Sequence, residues 1–123
     1  MNLMGFTDQQ KQALLDLLVM GMYADGELAD VEDRKIEGLL MTIKFPSVSD
    51  RKKYLDGSVA RTRQHLGSPE SARAFVADIA KQFPSPEARQ RAYAGLEELL
   101  ASDNKVVDKE NQFLAVVKDE FKL

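Results

Sequence analysis

The chain has 123 residues, 44% hydrophobic and 30% charged, with seven Gly and four Pro, a composition that predicts one folded domain over residues 1–123 with no metal or disulfide staple. It contains no cysteine, which excludes disulfides, zinc–thiolate and iron–sulfur centres and thiol nucleophiles. Its net charge of −3 gives no basis for nucleic-acid binding, which needs a clustered basic face.

Thr7 and Gln10 have the form of a capping box, and Leu14, Leu17, Leu18, Gly21 and Met22 mark one face of a first helix ending near Asp25-Gly26. Asp30 suits the N-cap of a second, whose face is Ile36, Leu39, Leu40 and Ile43 and whose end is set by Phe45-Pro46. Ser49 or Asp50 can cap a third over Arg51 to Leu66, where Asp56-Gly57-Ser58 predicts a break or kink. Ser68-Pro69-Glu70 starts a fourth with Ala72, Phe75, Val76, Ile79 and Phe83 inward. Ser85-Pro86-Glu87 repeats that start for a fifth, carrying Ala88, Ala92, Leu96, Leu99 and Leu100, and Asp108 caps a last helix with Leu114, Val117 and Phe121. No window alternates as a half-buried strand does, so the fold class is all-α, with about five to seven helices in one compact domain.

Two segments repeat. Asp25-Gly26-Glu27-Leu28-Ala29-Asp30-Val31-Glu32 lies over Asp103-Asn104-Lys105-Val106-Val107-Asp108-Lys109-Glu110 at a constant offset that also pairs Leu18 with Leu96, Ile36 with Leu114, Leu39 with Val117 and Ile43 with Phe121. The pattern is a duplicated helix–acidic loop–helix unit. Gly26 and Asn104 tolerate the left-handed backbone of a turn, Leu28 and Val106 can plug the core, and Asp30 and Asp108 can cap the next helix. The same carboxylates are hard oxygen donors of the kind Ca²⁺, Mg²⁺ or Mn²⁺ takes. Candidate cation ligands are therefore Asp25, Glu27, Asp30 and Glu32, with Asp103, Asp108 and Glu110 assisting; the competing reading makes them turn and cap residues only. A standard EF-hand is excluded, because its earlier ligand positions fall on Gly21 and Tyr23 in one loop and Leu99 and Ala101 in the other. Lys105 makes the second loop the weaker candidate.

Tyr23-Ala24-Asp25-Gly26-Glu27-Leu28, with the later Ala101-Ser102-Asp103-Asn104-Lys105-Val106 ahead of Glu110-Asn111, resembles the tellurite-resistance TerB family from about Phe6 to Phe121. The resemblance implies a compact all-α bacterial protein in the cytoplasm, associated with metal or oxyanion stress, acting as a metal-binding or adaptor component beside a protein partner, membrane-associated partners included. It implies no catalytic activity. The chain departs from the family at Ala29 and Val107, where a small hydroxyl residue is common, so that capping falls to the following aspartate. Thiol-driven reduction of tellurite has no cysteine to run on.

Other chemistry has little foothold. His65 is the sole histidine and no G-x-S-x-G, H-E-x-x-H or phosphate-binding glycine motif is present; it reads as a solvent-facing residue near Arg61 and Arg63. Arg51, Lys52, Lys53, Arg61 and Arg63 read as a solvated helix face, and Met20, Met22 and Met41 as core. The longest charge-free apolar stretch, Leu17 to Ala24, is far below the ~20 residues of a membrane-spanning helix, and the first residues lack the basic start of a secretory leader. Acid gathered in residues 1 to 33 and base gathered in 51 to 63 leave self-association open. The sequence thus predicts a non-enzymatic binding module, either a cation-binding stress protein or a helical adaptor whose acids are caps.

Overall fold

A run of eight residues from Ala13 to Met20 is apolar at every position but Asp16, and a helix that is apolar all round belongs in the middle of a core rather than on its surface. In the computed structural model, which describes residues 5–22, 36–65, 67–100 and 108–123, this run forms the centre of α1 (Asp8–Met22). Leu14, Leu15, Leu17, Leu18, Val19 and Met20 are all fully buried. The sequence pattern had assigned α1 a single inward face; it is covered on all sides because each later helix packs on it. These are α2 (Val48–His65), α3 (Pro69–Ala80), α4 (Pro86–Leu100) and α5 (Asp108–Glu120). Residues 36–40 add a helical stretch ahead of α2, and no strand occurs among the described residues. The fold is all-α.

Helix starts follow local chemistry. Thr7 and Gln10 form the reciprocal capping box, with Gln10 N–H donating to Thr7 Oγ1 and Thr7 N–H to Gln10 Oε1, both at 3.0 Å. Ser68 accepts from Ser71 N–H at 3.1 Å with Pro69 in the first helical position, and Ser85 accepts from Ala88 N–H at 3.0 Å. The cap of α2 is neither Ser49 nor Asp50 but Ser47, whose hydroxyl accepts from Asp50 N–H and donates to the Asp50 carboxylate. The front of α1 also closes the ends of its neighbours: Gln10 Nε2 donates to the Gln82 carbonyl at 3.0 Å and Lys11 Nζ to the Thr42 carbonyl at 3.1 Å.

Three further expectations are corrected. No break occurs at Asp56-Gly57-Ser58; α2 runs through it, because Ser58 is fully buried and bonded to α1. His65 is half-buried rather than solvent-facing, its ring stacked on Phe75 at 4.8 Å and Nδ1 2.8 Å from Ser71 Oγ. Met41 is 72% exposed, while Met20 is core; the helical stretch before α2 ends just ahead of Met41, which stands outside the packed face of Ile36, Leu39, Leu40 and Ile43.

Candidate functional site

The duplication read from the sequence has counterparts among the described residues. Helices α1 and α4 each have 15 residues, and both their starts (Asp8, Pro86) and their ends (Met22, Leu100) stand at the offset that superposes the two acidic loops. Leu18 and Leu96 are both fully buried, and Ile36 and Leu114, Leu39 and Val117, and Ile43 and Phe121 are buried pairs. The two helices begin at one corner: Phe6 and Phe83, just ahead of them, meet edge-on at 5.6 Å, and Arg91 of α4 lies 4.8 Å over the Phe6 ring. The two helices also pack on each other, each about 22 Å long.

Of the candidate ligands, Asp25, Glu27, Asp30, Glu32 and Asp103 lie outside the described residues, as do the side chains of Asp108 and Glu110, whose backbones open α5. So do the side chains of Met22, Leu99 and Leu100. Among the described residues no group of three or more His, Asp or Glu is placed to hold a metal ion. Nor, among the described residues, is any helix long and apolar enough to cross a membrane.

A polar centre that sequence reasoning missed sits on α1. Asp16, only 8% exposed, turns Oδ1 toward α2, where it accepts from Ser58 Oγ at 2.6 Å and Arg61 Nη2 at 3.0 Å, with Tyr54 Oη at 3.2 Å. Residues 54, 58 and 61 recur at helical spacing, so one face of α2 supplies all three partners. The Tyr54 hydroxyl also lies 3.0 Å from the Gln12 carbonyl, and its one proton is shared between the two acceptors. Burial, followed by the Asp16 charge, raises the Tyr54 pKa above the ordinary phenol value, and the Arg61 guanidinium opposes part of that shift. Gly57 matters here: a Cβ at this position would stand 3.2 Å from Arg61 Nη1, crowding the arm that reaches Asp16. The signal was in the sequence, as a lone acid inside Leu14-Leu15-Asp16-Leu17-Leu18. Thr62, one turn on from Ser58, has a fully buried hydroxyl with no hydrogen-bond partner among the described residues.

Beside this centre a groove of about 270 Å³ opens between α1, α2 and α3, with Gln9, Gln12 and Asp16 on one wall, Tyr54 on another, and Phe75, Asp78 and Gln82 opposite. The Asp16 oxygen nearest α2 already has its donors there, and the Asp16 centre clasps α1 to α2.

No curated protein and no solved structure matches the chain. The family described as tellurite resistance protein TerB matches residues 11–123, a span that takes in both hairpins, both acidic segments and every helix that packs on α1. With the all-α architecture and the duplicated unit already in place, that match settles the family: the chain belongs to TerB.

Proposed function

We propose that this protein is a non-enzymatic component of tellurite or metal stress resistance that binds a divalent cation through its two acidic interhelical segments. The observation that supports it is the duplication: two helices of equal length, starting from one corner, each lead into a segment of the form D-[GN]-x-[LV]-x-D-x-E. The donor set of Asp25, Glu27, Asp30 and Glu32, with Asp103, Asp108 and Glu110 assisting, consists of carboxylates, which suit Ca²⁺, Mg²⁺ or Mn²⁺. The ion would hold the ends of two hairpins and so bias the surface offered to a protein partner in the cytoplasm.

The test is a thermal melt of chelated protein with and without millimolar Ca²⁺, Mg²⁺ or Mn²⁺, repeated on Asp25→Asn/Glu32→Gln and on Asp103→Asn/Glu110→Gln. Binding the folded state alone at about 100 times Kd adds roughly 2.7 kcal/mol, a rise on the order of 10 °C. The first variant should lose the rise and the second, carrying Lys105 in its loop, should lose less of it. No rise with any ion overturns the cation reading and leaves the adaptor reading, in which these acids cap helices as Thr7, Ser47, Ser68 and Ser85 do.

A further inference from the structure

Away from both acidic segments, the turn leading into α2 carries a surface of opposite character. Met41 and Val48 are each 72% exposed, far more than large apolar side chains elsewhere in the described structure. Between them two grooves share one residue, Arg51. The larger, about 260 Å³, is lined by Ile43, Phe45, Ser47, Val48 and Arg51; the smaller, about 50 Å³, by Glu37, Leu40, Met41 and Arg51. The Arg51 guanidinium rests against the Met41 thioether at 3.0 Å and has no ion pair among the described residues. Val48, Arg51 and Lys52 share one face of α2 at i, i+3 and i+4, and Lys52, together with Lys44 next to Phe45 in the chain, is exposed. Of the two described acids here, Asp50 is engaged by Ser47 at the helix cap and Glu37 stands on the wall of the smaller groove, so that Arg51, Lys44 and Lys52 outnumber them. A locally basic, apolar, concave face thus stands on a protein whose net charge is −3.

The geometry points to this face, Met41, Phe45, Val48 and Arg51 with Lys44 and Lys52, as the docking site for a segment of a partner protein that presents a carboxylate beside apolar side chains. Charge complementarity fixes the sign of the partner. A guanidinium seated between two apolar grooves suits one carboxylate held in a two-pronged contact, with a side chain of the same segment lying in the groove of Ile43, Phe45 and Val48. A bilayer fits less well, because membrane-surface binding buries a continuous apolar face among headgroups, whereas here the charge of Arg51 stands between the apolar side chains. The proposal is independent of the cation reading, since none of its residues belongs to the acidic segments.

The probe is a display library of random short peptides selected on the immobilised full-length protein, with the enriched peptides measured by fluorescence anisotropy. The enriched sequences should combine Asp or Glu with Leu, Ile or Phe. Arg51→Glu and Val48→Asp, both at exposed or half-exposed positions, should each weaken binding by at least about ten-fold. Lys81→Glu, an equal charge reversal on α3 at a side chain 76% exposed, should leave affinity within about two-fold. Circular dichroism melts confirm that the variants are folded, and amide shifts of the labelled protein should move at residues 41–51. The idea is overturned by no enrichment, by basic or purely polar winners, by Arg51→Glu behaving like Lys81→Glu, or by shifts that map elsewhere. Two further outcomes also sink it: binding confined to anionic phospholipid vesicles, and a dimer in light scattering that Val48→Asp dissolves.

Discussion

Helices α1 and α4 are copies in length and register but not in surroundings. At the position of Asp16 in α1 the repeat places Ala94 in α4, and at that of Leu15 it places Tyr93; Asp16 and Leu15 are buried, Ala94 is exposed and Tyr93 half-buried. The cause is the pair of helices that separates the copies. Helices α2 and α3 fold back over the outer side of α1, while α4 packs chiefly on α1 and α5. Duplication therefore supplied the frame, and the helices between the copies decided which one became the centre of the molecule. Only the covered copy needs an interior polar clasp, since only there does a second helix lie on the far side.

The sharpest test of this asymmetry is in the core. Leu15→Ala, at a fully buried site, should lower stability by about 3 kcal/mol in urea denaturation, the cost of lost burial plus a cavity, and Tyr93→Ala in the other copy should cost less. Equal losses would show that α4 is as central as α1. Next comes the clasp. Asp16→Asn weakens the acceptor shared by Ser58, Arg61 and Tyr54 and should cost about 2 kcal/mol, whereas Ala94→Asp at the matching exposed site should change stability by less than about 0.5 kcal/mol. The smallest effect is in alkali. A phenol harder to ionise in the folded than in the unfolded chain contributes its stabilisation in full below about pH 10, and that contribution shrinks as pH climbs toward the folded value. Stability should then fall with rising pH above about 10, and Tyr54→Phe should flatten the fall by at most about 1.4 kcal/mol per pH unit. A slope unchanged in the variant would remove Tyr54 from the alkaline response.

What could be read from the chain in advance was what neighbours in sequence decide. The capping box of Thr7 and Gln10, and the starts at Ser68-Pro69 and Ser85-Pro86, depend on contacts three residues apart, and the structure keeps them. The duplication was legible because both copies retain their inward apolar positions. Contacts between distant segments were not. A one-sided α1 presumes solvent on its other side, and nothing near Leu15 or Val19 announces that α2 and α3 will cover them. The break expected at Asp56-Gly57-Ser58 was overridden by a partner forty-two residues away, Asp16. The misplacement of Met41 has the same origin: helical spacing identifies the apolar positions, and the place where the stretch stops decides which of them faces water. The acidic donors were visible as composition, but ligand geometry is a matter of side-chain placement, which for Asp25 to Glu32 and for Asp103, Asp108 and Glu110 lies outside the described residues.

The aromatic corner has a topological consequence. Phe6 touches Phe83, and Phe83 in turn lies 6.0 Å from Phe121, so residues near the two ends of the sequence sit within two ring contacts of each other. Phe83 thereby fastens the start of α1 to the residue just past the end of α5, so that a change at this one ring loosens two distant parts of the chain together.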